Sequence, residues 1–197
     1  MPEHQLPKLR VEGSSLVLIA SDMKTNVNIN DIADYVILMC NENGVDVSPL
    51  KLQKLLYYIQ AWHMVYFNKT KLFEEMPQAW VNGPVYPSVY QRFKRIPRYS
   101  LITVENAGIQ CSLQDKAKML GLSKEQFDFL DSIFQFYGVM DHDRLVFLTH
   151  SEGPWSEKRV GLMPYEQSAV ELSADSMFDY YHARLVRNRA RKEVSEG

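Results

Sequence analysis

One stretch constrains the chain more than any other: residues 48–70, "SPLKLQKLLYYIQAWHMVYFNKT". Ser48 is a helix-capping residue, and Pro49 suits a first turn, where its missing N–H loses no intrahelical bond. Beyond them Leu52, Leu55, Leu56, Ile59, Trp62, His63 and Tyr66 recur at helical spacing and form one broad side, with Lys51 and Lys54 expected toward water. A helix of this length with so wide an apolar side needs other elements packed around it. It is therefore expected to be the central helix.

The neighbouring text supplies the rest of a bundle. Asn28 or Asn30 caps a helix over about Asp31 to Asn41, with Ile32, Tyr35, Val36, Leu38 and Met39 on its apolar face, until "NENG" stops it. "SKEQ" from Ser123 to Gln126 is a capping box that opens a helix carrying Phe127, Leu130, Ile133, Phe134 and Tyr137, ended by Gly138. Ser173 caps a last helix with Met177, Phe178, Tyr181 and Leu185 inward and a basic end from Arg184 to Lys192. The run "DHDRLVFLTH" leaves helix and strand equally open by period alone, while "SLITVENAG" and Leu16 to Ala20 read as strands. The expectation is a mainly α, compact bundle around one helix, with room for a short β-hairpin. Residues 1–22, with prolines at 2 and 7 and without helical period, form an N-terminal extension, 23–182 the helical domain, and 183–197 a basic helix end and tail.

Charge narrows the function classes. With 22 Lys and Arg against 24 Asp and Glu, the net charge of −2 provides no global field for nucleic acid or an acidic membrane. The first apolar run, "SLVLIAS", is too short for a signal-peptide core or a membrane span. Cys40 and Cys111 are far apart and have no second ligand near in sequence, so a disulfide scaffold or structural zinc is not indicated, and a cytoplasmic location fits.

The stretch "AWVNGPVYPSVYQRFK" invites a search for chemistry. Asn82-Gly83-Pro84 is a turn, because glycine accepts backbone angles other residues avoid, and Pro87 is shaped for the first turn of a helix through Tyr90 and Phe93. One glycine before a proline does not make a phosphate loop. The stretch reads as a stiff corner, with Trp80 buried against the central helix. His63, on the apolar side of that helix, reads as a core histidine bonded through a ring nitrogen. His150, Ser151 and Glu152 suggest a nucleophile triad, yet sequence neighbours on a turn seldom face one another. The histidines at 4, 63, 142, 150 and 182 have none of the tight zinc spacings. The expectation is no catalytic residue, no metal and no cofactor.

Three segments in order, "LKLQKLLYYIQAWHMVYF", "AWVNGPVYPSVYQRFK" and "LTHSEGPWSEKR", together resemble the Panacea domain family, which includes SocA-like proteolytic adaptors and phage-associated GepA-like proteins. The resemblance spans roughly residues 28–182 and falls on Lys51 to Leu55, Tyr57, Tyr58, Trp62, Trp80, Gly83 to Val85, Pro87, Tyr90, Thr149, His150, Pro154 and Trp155. It implies a largely helical domain acting as the antitoxin of a bacterial or phage toxin–antitoxin module, neutralising its cognate toxin by direct binding. The alternatives are an adaptor that delivers a toxin or regulator to a protease, or a DNA-binding regulator using Arg184, Arg187, Arg191 and Lys192. Lys51, Gln53, Lys54 and Tyr58 are the expected partner contacts. Leu52, Leu55, Trp62, Trp80, Gly83, Pro84, Pro87, Tyr90, His150, Pro154 and Trp155 are expected to be structural.

Overall fold

The computed structural model describes residues 23–196; the extension 1–22, including the strand expected at Leu16 to Ala20, lies outside the described residues. Helix α1 (Ile29–Glu42) is capped by the Asn28 side chain, which accepts from the Asn30 N–H. Helix α2 (Pro49–Tyr66) opens with the Ser48 hydroxyl accepting from the Lys51 N–H and with proline in the first turn. An antiparallel hairpin follows, β1 (Gln78–Trp80) and β2 (Gly83–Val85), pairing Trp80 with Gly83 and Gln78 with Val85. Helix α3 (Pro87–Phe93) starts at proline, α4 (Leu113–Leu120) ends at the left-handed Gly121, and α5 (Lys124–Ile133) carries the complete Ser123–Gln126 capping box. A π-helical turn (Phe134–Gly138) extends α5, and α6 (His142–His150), α7 (Gly153–Ser156) and α8 (Ala174–Glu196) complete the order.

Helix α2 is the centre of the molecule, packed by α1, α5, α6, α8 and β2. That enclosure is complete: every residue from Leu50 to Val65 is buried. Apolar groups such as Leu52, Leu56, Ala61 and Trp62 have no measurable exposure, and each large side chain so buried contributes about 1.5–3 kcal/mol. From the other elements Ile32 and Ile37 of α1, Phe129 of α5, Leu145 of α6, and Met177 and Tyr181 of α8 close the core.

Two expectations change, and one reading left open is decided. Residues 101–108 of "SLITVENAG" form turns and irregular backbone, and the strands lie instead on either side of Asn82. "DHDRLVFLTH" is helix α6, where Asp141 caps by accepting from the Arg144 N–H. Lys51 and Lys54 do not face water: they are 5% and 0% exposed, because α2 is surrounded on all sides and has no solvent face. The basic helix end expected from residue 183 belongs to helix α8.

Candidate functional site

A fully enclosed helix must find a partner for each polar side chain, since an unpaired buried donor or acceptor costs about 1–3 kcal/mol. The side chains of α2 find theirs largely on loop backbone. Gln53 clasps Tyr86, donating to its carbonyl at 3.2 Å and accepting from its N–H at 2.7 Å. One residue on, the Lys54 ammonium donates to the Pro84 carbonyl at 2.9 Å. Gln60 repeats the clasp, donating to the Phe73 carbonyl at 2.6 Å and accepting from the Leu72 N–H at 3.0 Å. His63 Nδ1 lies 2.8 Å from the Thr70 carbonyl, which can only accept, so Nδ1 carries the proton and Nε2 accepts from Gln126 at 3.1 Å. Burial lowers the His63 pKa to about 4, keeping it neutral near pH 7. The core-histidine expectation thus matches its geometry.

The three motif segments meet at Lys54. Gly83 has φ +94°, and a Cβ there would lie 2.7 Å from Lys54 Nζ and 2.9 Å from Thr149 Oγ1. Glycine is required on two counts, by the backbone angle and by the close approach of the lysine. Loss of solvation pushes the Lys54 pKa down to about 7. From the third segment, the His150 ring stacks on Trp155 with centroids 4.0 Å apart, and burial, with help from Lys54 and Arg159, lowers its pKa to about 4. Trp155 Nε1 donates to the Trp80 carbonyl at 2.9 Å, and Arg159 Nη1 to the Ala79 carbonyl at 2.9 Å. The hairpin is therefore held by α2 through β2 and its exit, and by the α7 region through β1.

Behind this junction lies a second polar knot. Glu152 accepts from Tyr58 at 3.0 Å and from Tyr181 at 2.5 Å through Oε2, and from Arg184 at 2.8 Å through Oε1. Tyr58 also stacks on Tyr137, centroids 3.9 Å apart, and the Tyr137 hydroxyl accepts from Trp62 Nε1 at 3.0 Å. Burial raises the Glu152 pKa, against the opposing pull of Tyr181, Arg184 and Tyr58. Tyr181 and Arg184 are the contribution that the sequence reading missed: they join a residue 29 and 32 positions away only because α8 folds back on α7.

The expected sites are redistributed accordingly. Lys51, Gln53, Lys54 and Tyr58 were expected at a partner surface, yet all are buried, Tyr58 with no exposure; in this conformation Gln53 and Lys54 bond the protein's own backbone and Tyr58 bonds Glu152. Leu52, Leu55, Trp62, Gly83, Pro84 and Pro154 are buried, and Pro87 starts α3. Trp80 departs from expectation: it is half-buried, its ring meeting Tyr90 edge-on at 4.7 Å and its Nε1 donating to Gln78 at 2.8 Å. The reason is the two-residue strand period, which turns Ala79 inward to full burial and its neighbours outward. His150, Ser151 and Glu152 diverge, to the Trp155 ring, the Phe147 carbonyl and the Tyr58–Tyr181–Arg184 group respectively. Among the described residues no group of three His, Cys, Asp or Glu is placed to hold a metal.

On the outer side of the hairpin, α3 and the start of α2 enclose an open groove of about 460 Å³. Trp80, Asn82, Val85 and Tyr90, all from the second motif segment, line it beside Leu50 and Lys94. The readable signal for it was the run from Met76 to Val104, which has four basic residues and no acidic one.

These features define a helical scaffold protein in which the motif side chains spend their polar groups on fixing a hairpin to a central helix. The chain belongs to the antitoxin SocA-like, Panacea domain family, whose model matches residues 52–156. The match runs from α2 to α7 and contains Lys54, Gly83, Pro84, Thr149, His150 and Trp155 of the junction, though not Arg159. Neither a curated protein nor a solved structure matches the chain. No described helix is long and apolar enough to cross a membrane.

Proposed function

We propose that this protein is the antitoxin of a bacterial or phage toxin–antitoxin module and that it neutralises its toxin in the cytoplasm by direct protein–protein contact, acting by binding and not by catalysis. The family match over residues 52–156 carries the reading. It is supported by the engagement of three of the motif's ionisable groups: Lys54 holds Pro84, His63 holds Thr70 and Gln126, and Glu152 holds Tyr58, Tyr181 and Arg184. Groups so committed build a constant scaffold and leave recognition to the outer faces. The test is co-expression with the adjacent small gene. That gene alone arrests growth, growth returns when this protein is supplied, and the two proteins copurify with the toxin's half-life unchanged. Toxicity that persists in the presence of this protein refutes neutralisation, and rescue accompanied by rapid loss of the toxin reassigns the protein to proteolytic delivery.

A further inference from the structure

We propose that the groove between the hairpin, α3 and the first turn of α2 is the toxin dock, and that its occupant is an acidic, amphipathic segment of the toxin. The inference rests on the neutralisation reading and adds to it the surface and the chemistry of the contact.

The groove combines depth, an apolar lining and charge of one sign. Its volume of about 460 Å³ suits several side chains. Leu50, Val85, Val89 and Phe93 lie almost wholly buried at its base, while Trp80 and Tyr90 stand at its mouth, Tyr90 with 41% of its surface exposed. Half-exposed aromatic residues beside an apolar base are the residue types and setting in which binding energy concentrates at protein interfaces. Lys94 and Arg98 line the same groove, and among the described residues neither enters an ion pair, whereas nearby Arg92 is engaged by Asp34. Lys94 and Arg98 are the charged side chains of the lining, which has no acidic residue, and Glu75, bonded to Ser88 at the start of α3, is not among the lining residues, so the groove itself is positive on a chain of net charge −2. Apolar side chains with carboxylates beside them complement such a surface.

The hairpin side of the groove is also braced from behind. Gln53 is held by Tyr86, Lys54 holds Pro84, and Trp155 holds the Trp80 carbonyl. This bracing fixes Trp80 and Val85 before a partner arrives and reduces the ordering cost of binding. The buried motif thereby acquires an outward consequence: it shapes a surface that it does not itself touch.

The experiment uses the full chain and the purified product of the adjacent toxin gene. Lys94→Glu/Arg98→Glu weakens binding by about tenfold or more and flattens its salt dependence, because rim charges act on encounter and screening. Tyr90→Ala weakens it by a similar factor, and Lys118→Glu on α4, outside the groove, changes it by less than about twofold. Melting temperatures establish that the variants fold, and the two charge reversals suffice should Tyr90→Ala unfold. Hydrogen exchange of the complex shows new protection over residues 80–98. Binding that persists unchanged in the charge-reversed protein refutes the dock and leaves neutralisation standing, whereas a parent protein that neither binds nor rescues refutes both. Groove amides already protected in the free protein, and released by beginning the chain at Met23 or by dilution, assign the groove to this chain's own N-terminal segment or to a second copy, and overturn the proposal.

Discussion

Replacing Lys54 by methionine separates the lysine's charge from its bulk. The side chain is wholly enclosed and its ammonium has the Pro84 carbonyl as acceptor at 2.9 Å. In the unfolded chain its proton is held up to about pH 10.5, whereas in the folded protein desolvation releases it near pH 7. Between those values unfolding takes up a proton, so this group makes stability rise with pH; below about pH 7 both states are charged and the folded state bears the whole desolvation penalty. Each pH unit within the window is worth about 1.4 kcal/mol, so the parent should gain on the order of 2–3 kcal/mol relative to Lys54→Met between pH 7 and pH 9. Methionine fills most of the same space and removes the penalty, but it leaves the Pro84 carbonyl unpaired at a pH-independent cost of about 1–3 kcal/mol. Urea unfolding of both proteins at pH 6, 7.5 and 9 measures the difference. A stability gap that is the same at all three values refutes the depressed, buried ammonium. Lys54→Ala, at a position the sequence placed toward water, should destabilise as well, because it opens a cavity where the hairpin meets α2.

Gly83→Ala should cost about 1–3 kcal/mol in thermal unfolding, from the left-handed backbone angle and from displacement of Lys54. Glu152→Ala should cost about 3–5 kcal/mol, because it strands Arg184 and the Tyr58 hydroxyl and leaves Tyr181 with Tyr57 alone, and in a double-mutant cycle with Arg184→Ala the second loss should be much smaller than the first. Acid should also destabilise the protein through His63: its folded pKa near 4 lies below the unfolded value near 6.5, so its contribution is complete above pH 6.5 and is lost as the pH falls to 4. His63→Gln should flatten that part of the stability profile, as read by denaturant midpoints at successive pH values.

The elements with local signals were legible because local chemistry sets them. Asn28, Ser48 and the Ser123–Gln126 box cap where sequence places them, Pro49 and Pro87 start helices, and Gly83 has the positive φ that its turn requires. The central position of α2 was readable too, from its length and apolar content. What spacing could not reveal was that α2 has no outside. A lysine at helical spacing from leucines looks solvated until α6 and a hairpin close over it, and the tertiary contacts of α2 join residues about thirty to more than a hundred positions apart. The same limit explains Trp80, whose exposure follows from a three-residue strand too short to show alternation, and Glu152, whose partners Tyr181 and Arg184 lie on a helix that returns from the end of the chain. Sequence alone determined the caps, the breaks, the helical class and the family resemblance, since each depends on residues near one another or on motifs in order. Only the tertiary structure decided which polar groups face water, because burial is a property of what packs on the far side of a residue, and periodicity along one helix does not contain it.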